Sequence, residues 1–146
     1  MANDPPNPGS DTNPATAGQP PTGPGGVDLG GGVRLGPVHR RHEPEGVLNQ
    51  WHRIYRGQAE IGSIDYDICP TCRQILILEI GLLDTEQRRG IGTRVLAHLH
   101  TEQAGYRWFI TPEKVTSRQF WPRIRAAYPG DYDNFGRAPT RCPHID

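Results

Sequence analysis

Hydrophobic positions are sparse up to about Gly32, alternate with polar ones through Ile68, run together from Ile75 to Leu83, and then recur every three or four residues. Each rhythm predicts a different element. Val33 to Val38 reads as a weak first strand ended by Pro37, and His39-Arg40-Arg41-His42 as a solvated basic loop. Leu48 to Tyr55 and Gln58 to Ile68 are rich in β-branched and aromatic residues, with a hairpin turn at Arg56-Gly57 between them. In the second strand Ile64, Tyr66 and Ile68 alternate with Asp65 and Asp67, as expected of a half-exposed strand. Cys69-Pro70-Thr71-Cys72 is a tight turn into the apolar run Ile75 to Leu83, broken only by Glu79 and Gly81. Such a run predicts a strand buried on both faces.

The period then changes. Ile91, Val95, Leu96 and Leu99 lie on one side of a helix, and Gly105 is placed to cap its end. Arg107 to Thr111 is a further buried strand, which after a helix implies a parallel, right-handed crossover. Thr116 and Gln119 form a capping box for a second helix running to about Ala127 and stopped by Pro129-Gly130, with Phe120, Ile124 and Ala127 as its apolar stripe. Pro122 either bends that helix or makes it start later than the box. Asp131 to Asp146 yields no element. The fold class expected is therefore α/β (α+β): a mixed central sheet in which an antiparallel βββ meander is followed by α-β-α.

Composition narrows this picture in few places. The 146 residues suit one folded unit, residues 33–146, behind a Pro/Gly-rich tail, residues 1–32, too poor in apolar surface to offset its ordering entropy and expected to be disordered. Formal charge is zero, which argues against nucleic acid or an anionic membrane as partner. No apolar run approaches the ~20 residues that span a bilayer, and the N-terminus lacks the basic and apolar regions of a secretory signal. Three cysteines cannot all pair, which argues against a disulfide framework, so a reducing cytoplasm is the expected location.

The chemistry concentrates where the central strand meets the first helix. After Asp84, Thr85 and Glu86 comes Gln87-Arg88-Arg89-Gly90-Ile91-Gly92. The first N–H groups of a helix lack internal partners, and its dipole favours negative charge there. Gly90 and Gly92 remove β-carbons that would hold a phosphate away, and Arg88 and Arg89 add two positive charges. A P-loop would need Gly-Lys-Ser/Thr where Thr93-Arg94 stands, and a dinucleotide fingerprint a small residue at Val95. QRRGIG resembles instead the Q/R-x-x-G-x-G/A pyrophosphate signature of the GNAT superfamily of acyl-CoA-dependent N-acyltransferases, and the order βββαβα over roughly Leu48 to Tyr128 matches the central and C-terminal half of that fold.

The resemblance implies acetyl-CoA as cosubstrate and a primary amine, on a small molecule or a protein, as acceptor. It implies that backbone groups of Leu82, Leu83 and Asp84 pair with the pantetheine arm, and that Gln87, Arg88, Arg89, Gly90, Ile91, Gly92 and Thr93 hold the pyrophosphate. Glu79 is the one carboxylate inside the central strand, and burial among Ile75, Ile77 and Ile80 would raise its pKa toward that of a general base. The family's strand glutamate falls three residues earlier, where this chain has Leu76; an odd shift turns a side chain to the other face unless a bulge, for which Gly81 is a candidate, intervenes. The alternative is a buried Glu79 paired with an arginine. The family's proton-donating tyrosine aligns with Trp121, which cannot act as an acid, while Tyr106 and Tyr128 read as packing residues. The two helices that usually wall the acceptor pocket have no room here, so this resembles a short member whose pocket a homodimer could complete.

A second constellation is independent of the resemblance. Cys69, Cys72, Cys142 and His144 offer four ligands of the kind tetrahedral zinc takes, with an irregular spacing in the second pair; the alternative is three ordinary reduced cysteines. Following strand, helix, strand and helix brings the C-terminal segment back to the sheet end that holds the Cys69–Cys72 turn, opposite the anion site, so a metal there would be structural. His98 and His100 are expected on the surface, and His52 in a strand. Three functions follow: an N-acetyltransferase, a GNAT-like module that binds acyl-CoA without catalysis, or a zinc-stabilised interaction or nucleic-acid module, against which the neutral charge counts.

Overall fold

The computed structural model describes residues 26–111 and 119–145. Within them lie eight strands and two α-helices in a mixed α/β arrangement: β1 (Val27–Gly30), β2 (Val33–Leu35), β3 (His39–His42), β4 (Leu48–Arg56), β5 (Ala59–Cys69), β6 (Gln74–Leu82), α1 (Ile91–Glu102), β7 (Arg107–Ile110), α2 (Phe120–Ala127) and β8 (Asp133–Asn134). The strands form one sheet in the order β1-β2-β4-β5-β6-β7-β8, with β3 paired to β4. The expected meander is β4-β5-β6, antiparallel throughout, and the crossover through α1 sets β7 parallel to β6. Among the described residues no helix is long and apolar enough to cross a membrane.

Order begins earlier than the composition implied. Residues 1–25 of the expected tail lie outside the described residues, but Val27–Gly30 form an edge strand whose Val27 and Leu29 pack against the core. Gly30, Gly31 and Gly32 all take positive φ, which lets the chain reverse tightly into β2. Two arginines then hold the turn: Arg56 donates to the Gly31 carbonyl at 2.9 Å and Arg94 to that of Gly30 at 2.9 Å. His39–His42, expected as a loop, is a strand on β4, with the His39 ring stacked on Trp51 at 5.5 Å. Its basic side chains are mostly exposed, so the polar sequence concealed a backbone ladder.

The sheet has a core on each face. Ile64, Tyr66, Ile75 and Ile77 meet Ile91, Val95, Leu96 and Leu99 of α1 and Trp121 and Ile124 of α2. On the other face Leu76, Phe109, Val47 and Cys69 are covered by Ala138, Cys142 and Ile145 of the C-terminal segment. That segment holds a short strand and a 3-10 turn (Phe135–Arg137) where no element was expected. Burial on both faces holds for Ile75–Ile77, but from Leu78 onward β6 is only half-buried or exposed. The capping-box Thr116 lies outside the described residues. The second helix starts at Phe120, which places Pro122 in its first turn, where a missing N–H costs no helical bond. Trp121, rather than the exposed Ala127, completes its buried stripe with Ile124.

Candidate functional site

The two halves of β6 have different neighbours. β7 pairs with it only from Gln74 to Ile77 and ends at Ile110. β6 continues to Leu82, so among the described residues its edge from Leu78 to Leu82 has no strand partner on that side. The chain then passes through a 3-10 turn (Asp84–Glu86) into α1. Gly90 is the N-cap of α1, at φ 77°, and no side chain caps the helix. Arg88 has φ 64°, so the loop curls through two left-handed residues just before the helix. Gln87, Arg88, Arg89 and Gly90 are exposed, and a β-carbon built on Gly90 would point into open space. Uncapped amides, an aligned dipole and two exposed guanidinium side chains therefore share one mouth.

Gly92 has another role than the one expected of it. A β-carbon there would lie 3.0 Å from the Phe120 ring, so its smallness lets α2 pack against α1 rather than opening a path for phosphate. Ile91 is buried in the core, while Thr93 is exposed. Several groups at the end of β6 are already engaged within the chain. The Leu83 N–H donates to Ile61 at 2.9 Å, the Leu83 carbonyl accepts from Glu86 at 2.8 Å, and Gln87 Nε2 donates to the Leu82 carbonyl at 3.0 Å. Leu82, Leu83 and Asp84 thus serve first to brace the loop, and the unpartnered stretch of β6 lies just upstream. Glu86, which no local pattern singles out, is buried and paired with Arg56 at 2.8 Å. Hydrogen bonding from Arg56 holds its carboxyl below the usual carboxylate range, against the opposing effect of burial. Its charge is answered chiefly by Arg56, with a smaller contribution from Arg89.

Glu79 is exposed, not buried among isoleucines. A bulge is the reason: Tyr66 pairs with Ile77 and Asp65 with Glu79, leaving Leu78 as the extra residue. The bulge sits at Leu78, not Gly81, and turns Glu79 to the Asp65 face of the sheet, the one that also carries Leu76. Trp121 is buried and packs against Phe120 and Tyr132, and Tyr128 stacks on His100. Tyr106 lies beneath the Arg73 guanidinium. None of the three aromatic residues considered for a proton donor has a geometry other than packing.

His100 is not a surface residue as expected. Its ring lies 3.9 Å from that of Tyr128 and 4.6 Å from that of Trp108, and Nε2 is 2.7 Å from the Tyr132 hydroxyl. His52 does lie in a strand, and is buried: Nδ1 is 2.9 Å from the Gly36 carbonyl and Nε2 3.2 Å from the Tyr66 hydroxyl. Burial lowers the pKa of both rings, which keeps them neutral.

The four metal-type ligands predicted from sequence do come together. Cys69 Sγ, Cys72 Sγ, Cys142 Sγ and a His144 ring nitrogen all lie within 4.8 Å of one another. They stand beside the start of β6, at the opposite end of that strand from the Gly90 junction. Gln74 builds the site: its Oε1 accepts from the Cys142 N–H at 2.7 Å and its Nε2 donates to the Thr140 carbonyl at 2.8 Å. The Cys142 sulfur also accepts from the His144 N–H at 3.3 Å. Hydrogen bonding with Cys142, then burial, pushes Cys72 up to about 12, while Cys142 is lowered, its burial outweighed by hydrogen bonds from Cys72 and from the His144 and Ile145 backbone. The donor set is compatible with zinc.

No family model matches the chain, and no curated protein matches it in sequence. Among the solved structures that do match is a GNAT-family acetyltransferase from Streptococcus pneumoniae, with a TM-score of 0.42 and 16% identity over 55% of this chain and 64% of that one. The chain thus spans less than two thirds of that protein. Likeness at this distance says nothing about activity or substrate.

Proposed function

We propose that the chain is an acyl-CoA-dependent N-acyltransferase, with the CoA diphosphate held at the mouth of α1 by the amides from Arg88 to Thr93. The observation that carries this reading is the juxtaposition at one sheet end of a helix start with no side-chain cap, Arg88 and Arg89, and an edge of β6 that has no strand partner among the described residues. Diphosphate suits the first two features, since amide donors and guanidinium groups both complement dense negative charge. A chain of alternating amide groups, such as pantetheine, suits the third, because it can add to an open strand edge by main-chain hydrogen bonds.

The reacting thioester then falls toward the Leu78 bulge, beside which Glu79 projects on the other face. In this reading the amine nitrogen attacks the thioester carbonyl carbon, Glu79 takes the amine proton, and the tetrahedral adduct collapses with loss of the CoA thiolate. Solvent protonates the thiolate, because the indole of Trp121 has no proton to give at neutral pH. Positioning and oxyanion stabilisation supply most of the rate, as they do when both reactants are bound side by side.

A second reading, an acyl-CoA-binding module without catalysis, is favoured by the exposed Glu79 and its cross-strand carboxylate neighbour Asp65. Two measurements separate them. Acetyl-CoA is expected to raise the melting temperature in both cases. Thiol release from acetyl-CoA with a panel of primary amines is expected only of the enzyme, with Glu79→Gln slower by about 10²-fold or more and CoA affinity unchanged. Melting unmoved by acetyl-CoA would discard both readings; binding without thiol release would leave the module.

A further inference from the structure

The geometry points to a closed, structural zinc site formed by Cys69, Cys72, Cys142 and His144, which fastens the C-terminal segment over one face of the sheet. The strongest support is metric. Zinc bonded to sulfur at about 2.3 Å and to nitrogen at about 2.0–2.1 Å in a tetrahedron requires sulfur–nitrogen separations of about 3.6 Å. From His144 Nδ1 the three sulfurs stand at 3.6 Å (Cys69), 3.5 Å (Cys72) and 3.7 Å (Cys142). Three near-equal separations are the signature of one shared centre, not of three competing hydrogen bonds to one nitrogen. None of the three cysteines is in a disulfide.

The surroundings are those of a metal site as well. Cys69 and Cys142 are buried while Cys72 and His144 are half-buried, so an ion would be shielded yet reachable. Two residues between Cys69 and Cys72 let both sulfurs of one turn face the same point. The Cys142 sulfur accepts the His144 N–H, and Gln74 grips the backbone on either side of Arg141, which fixes the second pair of ligands against β6. Four protein ligands leave no place for water or substrate, and the site stands at the far end of β6 from the α1 mouth. Its function is therefore to hold structure.

What it holds is identifiable. Cys142 and Ile145, with Ala138, cover Leu76 and Phe109, the residues on the sheet face away from α1 and α2. No α-helix of the described residues packs on that face; the C-terminal segment stands in for one. The buried cluster on that face is the smaller of the two, and a covalent-strength link to the Cys69–Cys72 turn compensates for the thin core. The inference is independent of acyl transfer.

The test uses full-length protein purified without a metal-affinity tag. Elemental analysis should find about one zinc per chain, and exchange of zinc for cobalt(II) should give the intense visible bands and sulfur-to-metal charge transfer of a tetrahedral, thiolate-rich site. A strong chelator should lower the melting temperature and speed proteolysis within residues 138–145, and added zinc should reverse both. His144→Ala should lower zinc affinity more than tenfold; if that variant is insoluble, the wild-type cobalt spectrum identifies the ligands directly. Less than a tenth of an equivalent of zinc together with no response to added zinc or cobalt would overturn the assignment. So would a cobalt spectrum without sulfur ligation, or an unchanged zinc affinity in His144→Ala.

Discussion

Glu86 shows how one residue can matter to a site without touching its ligand. It is buried, and both of its oxygens accept from Arg56, which also holds the Gly31 carbonyl. One ion pair thus ties the loop before α1 to β4 and to the β1–β2 turn. Because the folded pKa of Glu86 lies below its unfolded value, its contribution is fully present above the unfolded pKa, about 4.3, and is lost as pH falls through the lower folded value. Glu86→Gln should therefore be less stable than wild type at neutral pH, and the two should converge as pH falls below about 4.3 in urea denaturation followed by tryptophan fluorescence. Parallel pH profiles would show that Glu86 is unlinked to stability. Other buried polar groups of β4 and β5 are likewise answered, whereas the Trp108 indole nitrogen has no hydrogen-bond partner among the described residues. Tyr66 links Gln50 to His52, and His52 reaches the Gly36 carbonyl, so a neutral imidazole closes a chain of partners across β4 and β5.

At the scale of elements, the register of β5 against β6 decides where Glu79 points. Gly62 lies opposite Leu82 in that ladder, and a β-carbon on it would collide with the Gly81 carbonyl and approach Leu82. Gly62→Ala should destabilise the fold by about 1–3 kcal/mol, as overpacking does, and should do so by spreading β5 from the end of β6. Denaturation midpoints measure the first effect; a variant as stable as wild type would mean that the ladder there is slack. The elements with strong periodicity were legible in the sequence: the β4-β5-β6 meander, α1, and β7 parallel to β6. What escaped was set by contacts between distant residues. The bulge at Leu78 depends on how two whole strands align, and nothing local marks it. The strand at His39–His42 has polar, exposed side chains, so only its backbone pairing with β4 reveals it. The first strand, β1, was hidden in a glycine-rich stretch because Arg56 and Arg94, far along the chain, are what fix its turn.

At the scale of the molecule, two sites occupy opposite ends of β6 and do different things. Its start stands beside the Cys3His cluster and the C-terminal segment; its end carries an edge with no strand partner among the described residues, leading into α1. The meeting of Cys69, Cys72, Cys142 and His144 was legible because their chemistry is conspicuous and the topology returns the chain to the right end of the sheet. At the other end the residues of the QRRGIG stretch were legible as a group, but their division of labour was not. Gly90 faces open space while Gly92 serves packing against Phe120, and Gln87 braces Leu82. The most direct measurement of the central claim is a titration of isotope-labelled protein with coenzyme A, followed through the backbone amide resonances. The amides of Arg88 to Thr93 should shift saturably and further than any others, with smaller shifts along Leu78 to Leu82. Shifts centred anywhere else, or none at millimolar coenzyme A, would contradict it.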